Sequence, residues 1–484
     1  MDIIVSNRVA KITPGGPMMG GLAAALLPAV RKSGVVWFGS SGKLRKAVPG
    51  ATPLVQVESY GRGTIATVDL PEQHYPGFYE GFANSALWPL LHSRPDLSRA
   101  SAHDYEAYTE VNAYMARTLA AFGGADSTFW IHDYHFFPLA AELRKLGVTR
   151  EIGFFLHTPW PARRVITRLP QFRELAQAML AYDLIGFQTD RDRDNFADLL
   201  RTDLHMRGTG NAFRTPRGVC RLATFPIGID AREFATSAEQ SFADPQVQRL
   251  RASLNGAKLI IGVDRIDYSK GLTQRIHAFD RLLTQHLDLA RKLSMLQIAV
   301  PSRSTIDTYR ELQCEVAELV GSVNGRHSEV DWTPVRYLNK GFCQSTLAGF
   351  YRASAVGLVT PLCDGMNLVA KEFVAAQNPD DPGVLVLSRY AGAADELKAA
   401  LLVDPQDIDG IARAIATALA MPRSERRARW EEMAARLHRH SIHRWFADFL
   451  SELKSPQVTV LPLAANAVPA MRAVGHDREL IAQP

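Results

Sequence analysis

Ionisable side chains recur in this chain directly after short apolar runs rich in β-forming residues. Phe129-Trp130-Ile131-His132-Asp133-Tyr134-His135 runs from such a stretch into a carboxylate and two histidines, and Ile152-Gly153-Phe154-Phe155-Leu156-His157-Thr158-Pro159 repeats the design one βα unit later. Burying these groups incurs a desolvation penalty unless they are paired or used. Arg8 closes the opening run Asp2-Ile3-Ile4-Val5-Ser6-Asn7, where a guanidinium can grip a phosphate through two parallel N–H bonds. In the second half, Arg265 follows residues 258–263, Lys270 stands on the loop beyond it, and Arg303 lies past the run 296–300. Arg265 and Lys270 in such positions can neutralise a leaving diphosphate, as Mg²⁺ does elsewhere. The longest such stretch leaves the apolar run 355–359 as Thr360-Pro361-Leu362-Cys363-Asp364-Gly365-Met366-Asn367-Leu368-Val369-Ala370-Lys371-Glu372. Asp364-Gly365 reads as a turn, and 366–376 as a helix start carrying Asn367 and Glu372. Loop and helix-start amides there can meet a diphosphate while carboxylates hold hydroxyls, the chemistry of a sugar nucleotide. An Asp-Gly after a strand is by itself only a turn; its repetition with polar groups at other strand ends argues for a site.

The elements that must carry these residues alternate between strands and helices, the pattern of parallel α/β sheets. Strands are expected at 2–5, 35–39, 54–57, 129–132, 152–156 and 184–187, then at 258–263, 296–300, 355–359 and 385–388. Pro14-Gly15-Gly16-Pro17-Met18-Met19-Gly20-Gly21 precedes a helical run from Leu22, so its glycines can let backbone approach a ligand. Tyr79, Phe82 and Trp88 in the stretch 75–88 read as core more readily than as site. Pro226-Ile227-Gly228-Ile229-Asp230 is the candidate linker. It divides an N-terminal Rossmann-like unit, 1–226, from a C-terminal one, 227–454. Residues 455–484 are expected to be a disordered tail.

With 484 residues, 46% of them apolar, the chain can bury two cores. A net charge of +5 without a long basic run suits anionic small substrates rather than nucleic acid. Cys220, Cys314, Cys343 and Cys363 lack metal-ligand spacing, which points to a reducing cytoplasm. Residues 1–5 enter a strand rather than a signal peptide, and the apolar run 22–30 is too short to span a membrane. No Gly-rich run ending in Gly-Lys-Ser/Thr marks an ATP-splitting loop. A homo-oligomer, dimer or tetramer, is compatible with these properties.

Ser6-Asn7-Arg8, Gly20-Gly21-Leu22, Leu87-Trp88-Pro89, the 130–135 cluster, Asp267-Tyr268-Ser269-Lys270-Gly271 and the run 364–372 together resemble the trehalose-6-phosphate synthases. These are retaining glucosyltransferases, and the likeness runs from residue 2 to about 452. It implies a GT-B type α/β fold, two Rossmann-like domains facing each other across a cleft, with the last helix crossing back to the first. A nucleotide-glucose, UDP-glucose foremost, and glucose 6-phosphate would meet there and give α,α-trehalose 6-phosphate. The resemblance places Arg8, Tyr79, Trp88 and Arg303 on the acceptor phosphate and Asp133 on acceptor hydroxyls. It places His157 on the transferred glucose, Arg265 and Lys270 on the donor diphosphate, and Gly21 near the reacting centre. Asp364 would hold donor hydroxyls, Glu372 the ribose, and Gly365, Met366, Asn367, Leu368 and Val369 would complete the donor loop. The group expected to act in catalysis is Asp133, His157, Arg265, Lys270 and Asp364. Transfer would occur on one face without a carboxylate base, and no cofactor or metal is implied. Three segments depart from the family: Cys363 and Phe342-Cys343-Gln344 stand where charged residues are usual, and Thr158-Pro159-Trp160-Pro161 replaces a commoner Ile-Pro-Phe-Pro. The first two leave the choice among UDP-, GDP- and ADP-glucose open. A transferase for another phosphorylated acceptor, such as glycerol 3-phosphate, and a catalytically silent sugar-phosphate-binding protein are the competing readings.

Overall fold

Short apolar runs buried on both faces become parallel strands in the computed structural model, which describes residues 1–9, 21–46, 53–123 and 127–455. The glycine-rich loop up to residue 20 and the expected tail from 456 onward lie outside the described residues. The first sheet comprises β1 (Asp2–Arg8), β2 (Val36–Arg45), β3 (Val55–Tyr60), β4 (Gly63–Pro71), β5 (Thr128–His132), β6 (Ile152–Phe155), β7 (Leu184–Phe187), β8 (Gly208–Thr209), β9 (Ala212–Thr215) and β10 (Gly218–Thr224). Their spatial order is β3-β4-β2-β1-β5-β6-β7-β10-β9-β8. The strands from β4 to β10 pair in parallel, and antiparallel β3 and the β8–β9 hairpin finish the edges. The second sheet, β11 (Lys258–Arg265), β12 (Leu293–Val300), β13 (Val335–Leu338), β14 (Val356–Val359), β15 (Val384–Ser388) and β16 (Leu401–Val403), is parallel throughout in the order β13-β12-β11-β14-β15-β16.

Each sheet reverses its winding once, and the polar strand ends flank those points. β1 lies between β2 and β5, so Arg8 and Asp133 sit on either side of the first reversal. β11 lies between β12 and β14, which sets Arg265 beside the loop that leaves β14. Open α/β sheets bind ligands outside the carboxyl ends of strands at such points.

Several elements differ from the sequence expectation. The strand β4 was not foreseen. Its Thr64-Ile65-Ala66-Thr67-Val68 run has strand character, but Gly61, Gly63 and Pro71 around it read as loop. The helix expected from 366 begins at Leu368, because Asn367, at φ 78°, caps it and accepts the N–H of Ala370 at 3.3 Å. Residues 392–395 form one short 3₁₀ turn. Further on, the charged stretch after 406 is helical as its pattern suggests, in helices Ile408–Ala420, Arg423–Arg439 and Ile442–Lys454. The last of these buries Ile442, Trp445, Phe449 and Leu453, spaced to share one face. That face packs on the first sheet: Phe449 stacks on Trp130 at 4.3 Å, and the Trp445 indole N–H reaches the Phe225 carbonyl at 3.1 Å. Arg221 pairs with Glu452 at 2.6 Å. Among the described residues no helix is long and apolar enough to cross a membrane.

Candidate active site

Asp133 leaves β5 in a backbone conformation, φ 77° and ψ 164°, that is nearly reserved for glycine. Strain of this kind costs about 1–3 kcal/mol and persists where the surroundings impose it. Here the Asp133 N–H is held by the Phe155 carbonyl at 2.9 Å. The carboxylate Oδ1 is buried without a partner. Burial pushes the acid up to about 6, against the amides of Tyr134 and His157 and the guanidinium groups of Arg303 and Arg265. His132 lies behind it, its Nδ1 3.0 Å from Nε2 of His157. Burial drives both imidazoles down, His157 to about 3 and His132 well below its usual value, so both rings are neutral at pH 7.

Tyr79 and Trp88 reach the same region through a π-helical segment, Pro76–Leu87. Its wide turn shows in the bond from the Trp88 N–H to the Ala83 carbonyl, five residues back. Tyr79 stacks between Tyr75, at 5.4 Å, and His135, at 5.9 Å. Trp88 is buried, and its indole nitrogen has no partner. Arg8, exposed at the end of β1, lies over Gly42, where any Cβ would strike its guanidinium.

Arg303, from the loop after β12, joins this group from the second sheet. Its guanidinium lies 3.9 Å from the Trp88 ring centroid, and Nη2 donates to the Tyr134 hydroxyl at 3.2 Å. Nη1 donates to Asp267 Oδ2 at 3.0 Å and to the Tyr309 hydroxyl at 2.8 Å. Arg265 is exposed at the end of β11, 5.6 Å from the Trp88 ring. The family resemblance assigns Trp88 to the acceptor and Arg265 to the donor; the structure brings the two side by side.

Lys270 ends a 3₁₀ turn, Tyr268–Lys270, and pairs with Asp364 Oδ2 at 2.5 Å. The same oxygen accepts the Asn367 side-chain amide at 3.0 Å. Burial raises the Asp364 carboxyl, but Lys270 together with His92 and Asn367 outweighs it and holds the acid below its usual range. Gly365 packs so tightly on the His157 carbonyl that a Cβ would collide with it, which fixes the donor loop against the end of β6. Met366 is buried, whereas Leu368 and Val369 are half-buried at the helix start. Glu372 lies one turn deeper; burial pushes it up to about 8, against the Tyr351 hydroxyl. Gly21 is the first residue of the helix Gly21–Lys32, and the loop before it is outside the described residues.

The structure therefore gathers Tyr79, Trp88, Asp133, Arg265 and Arg303 into one cluster and joins His157 to the Lys270–Asp364 loop through Gly365. It also identifies contributors that the sequence did not single out: Asp267, Tyr309 and His92. His92 is buried against Trp88 at 4.0 Å, and burial lowers it to about 4. Only Asp267 carried a signal, as part of a motif run. Lys371 belongs to the same motif as Asp364 but is structural, bound to the Ile227 carbonyl at 2.6 Å and paired with Glu396. At the departures, Cys363 is half-buried and desolvation pushes its thiol up to about 12, and Cys343 sits 3.1 Å from the Thr346 hydroxyl. No group of three or more His, Cys, Asp or Glu able to hold a metal occurs among the described residues.

The chain matches the model of glycosyltransferase family 20 over residues 11–455. It is 45% identical to a trehalose-6-phosphate synthase of Sinorhizobium fredii over 458 residues, 93% of this chain and 97% of that protein. It is 42% identical to one of Cronobacter sakazakii, covering 94% and 95% of the two chains. Among solved structures it is similar to an α,α-trehalose-phosphate synthase (UDP-forming) of Burkholderia xenovorans in complex with glucose-6-phosphate. The TM-score is 0.90, with 44% identity over 93% of this chain and 99% of that one. An E. coli structure bound with UDP-2-fluoro glucose aligns with a TM-score of 0.86 and 39% identity, over 94% and 99% of the chains.

Proposed function

The chain belongs to glycosyltransferase family 20, and on that premise we propose that it transfers glucose from UDP-glucose to glucose 6-phosphate, forming α,α-trehalose 6-phosphate with retention. The fold is of the GT-B type, two Rossmann-like sheets with their reversal points turned to a shared site. The observation that carries the reading is Arg303: it comes from the second sheet, lies on Trp88 and Tyr134 of the first, and keeps its buried Nε unpartnered. A guanidinium held in that way suits a phosphate brought by the acceptor.

Arg8, Tyr79, Trp88 and Arg303 take the acceptor phosphate, and Asp133 takes acceptor hydroxyls. Asp133 ionises near 6, so at pH 7 its unpartnered oxygen is a charged acceptor for a sugar O–H. His157, neutral, can hydrogen-bond the transferred glucose without adding charge. Lys270 and Arg265 meet the diphosphate, Asp364 holds glucose hydroxyls, the amides of 365–369 line the donor, and Glu372 faces the ribose. Gly21 lies near the reacting centre. In the transfer, the anomeric carbon–oxygen bond to the diphosphate breaks while the acceptor oxygen bonds the same face of that carbon. The acceptor proton passes to the departing phosphate oxygen, and the fixed cations stabilise the charge that develops there. Four unpaired cysteines favour a reducing compartment, which we place in the cytoplasm.

The test is a donor-by-acceptor matrix: UDP-, GDP- and ADP-glucose against glucose 6-phosphate and glycerol 3-phosphate, followed by product stereochemistry. The expected product is α,α-trehalose 6-phosphate from glucose 6-phosphate, with UDP-glucose as the best donor. Good use of glycerol 3-phosphate with glucose 6-phosphate ignored would overturn the acceptor assignment.

A further inference from the structure

We propose that Asp267 is a positioning residue that ties the acceptor-phosphate arginine, Arg303, to the turn carrying the donor-side lysine, Lys270, one carboxylate oxygen serving each. The proposal rests on the reading of the two substrate sites given above. Asp267 follows β11 and is wholly buried. Its Oδ1 accepts the N–H of Ser269 at 3.0 Å and so caps the 3₁₀ turn Tyr268–Lys270. From the end of that turn Lys270 reaches Asp364. The other oxygen of Asp267, Oδ2, accepts Nη1 of Arg303, 36 residues away in sequence.

Each side needs such a tie. Arg303 stands between β12 and the helix Asp307–His327 with φ 49°, so neither element fixes its side chain. A guanidinium has five N–H donors. Nη1 uses both of its hydrogens on Asp267 and the Tyr309 hydroxyl, and Nη2 uses one on the Tyr134 hydroxyl. What remains is Nε, buried and without a partner, and one hydrogen of Nη2. Asp267 thus takes one edge of the fork and leaves Nε with an Nη2 hydrogen for an oxyanion. On the donor side, a single 3₁₀ turn has no internal ladder to hold it, so its cap sets where Lys270 projects. The carboxyl is raised by burial, but Arg303, Arg265, His92 and Lys270 bring it to about 2, so it is charged at any working pH. The same anion also offsets the mutual repulsion of the cations gathered in the cleft.

The test is Asp267→Asn in the full chain, with glucose 6-phosphate and UDP each titrated calorimetrically without the other, and turnover measured at saturation. Both affinities are expected to fall by about fivefold or more, and turnover by roughly tenfold. A purely structural role predicts a lower Tm with both affinities of the folded protein unchanged, and that result overturns the tie, as does a change on the acceptor side alone. If the variant does not fold, Arg303→Gln replaces it. Deleting this acceptor-side group is expected to weaken UDP binding by about threefold or more, because Asp267 loses its partner and its hold on the turn. Unchanged UDP affinity there overturns the proposal. A wild-type chain that binds neither ligand removes the reading of the sites and the tie with it; wild-type binding with an unaffected variant removes the tie alone.

Discussion

The polar groups at the strand ends of the first sheet and of the second are mostly buried, yet they are prepared in opposite ways. Beyond β5 and β6 the groups are uncharged or unpaired: His132 and His157 touch each other, both nitrogens of His135 lack partners, and so does Asp133 Oδ1. Around the ends of β11 and β14 the buried cations are paired, Arg275 with Asp264 at 2.7 Å, Lys270 with Asp364 at 2.5 Å, and Arg303 with Asp267 at 3.0 Å, while Arg265 is exposed. A desolvated, unpaired set gains from a neutral sugar whose hydroxyls complete its hydrogen bonds. A set of ion pairs holds its cations, Lys270 for the diphosphate and Arg303 for the acceptor phosphate, in place before an anion arrives, so little reorganisation is left for the reaction itself. One site thus waits for partners that it lacks, and the other exchanges partners that it has.

The comparison is broken most sharply at Lys270. Lys270→Ala leaves Asp364 as a buried carboxylate without its cation and removes a charge from the departing diphosphate. Turnover at saturation is expected to fall by about 10²–10³-fold, and stability by about 3 kcal/mol. Both are read on purified variant, by steady-state rates and thermal unfolding. EDTA should have a far smaller effect on the wild type, since fixed cations carry the diphosphate; full inactivation by EDTA with recovery on Mg²⁺ would refute that account.

One substitution, Asp→Asn, sharpens the comparison because its effect on stability should change sign between the regions. The folded protein raises Asp133 from 3.8 to about 6, so it binds a proton more tightly than the unfolded chain does. The stability this supplies is complete below pH 3.8 and is lost as pH rises through 6. Above that pH the buried anion costs about 2–3 kcal/mol, since each tenfold gain in proton affinity on folding corresponds to about 1.4 kcal/mol. Asp133→Asn should therefore raise Tm at pH 7.5, lose that advantage near pH 4, and still impair acceptor use. Asp364 is held below its usual range, so its contribution is present above pH 3.8 and fades as pH falls further. Asp364→Asn should lower Tm at pH 7.5, and that deficit should shrink as pH falls progressively below 3.8. Shifts of the same sign at both positions would mean that the two regions are not prepared differently.

This contrast was only half legible in the sequence. The clusters at residues 130–135 and 364–372 announced themselves, because ionisable groups abutting apolar runs are costly to bury without use. The pairing that distinguishes the regions was not legible, since it joins residues far apart: Asp267 to Arg303, and Lys270 to Asp364 across 94 positions. Adjacency also misled. Lys371 and Asp364 share a motif, yet one is spent on the Ile227 carbonyl and Glu396 while the other faces the cleft. The two Rossmann-like sheets were readable from their apolar strands, but β4 and the β8–β9 hairpin were not, because glycine and proline around them mimic loops.

The smallest expected effect lies where the first region carries a charge of its own. Arg8 ends β1, is exposed, and partly offsets the rise of the Tyr75 hydroxyl, which burial and Tyr79 nonetheless carry up to about 12. It brings a positive charge to a region of neutral imidazoles and the unpaired Asp133 carboxylate, and a phosphate ligand is the use that such a charge suggests. Truncating it removes one charge-assisted hydrogen bond, worth about 1.5–3 kcal/mol when well formed, so Arg8→Ala should lower kcat/KM for glucose 6-phosphate by roughly tenfold or more. Turnover with both substrates saturating should change less, which separates Arg8 from Lys270. Gly42 supplies an independent control. At φ 80° it lies against the Arg8 guanidinium, and a Cβ there would push that group aside without deleting its charge. If Arg8 acts through position, Gly42→Ala should weaken acceptor use in the same direction; if its charge acts only at long range, Gly42→Ala should leave acceptor KM unchanged while Arg8→Ala raises it. An unaltered acceptor KM in folded Arg8→Ala would remove Arg8 from the phosphate site and leave Arg303, reaching over from the second sheet, to hold the acceptor phosphate.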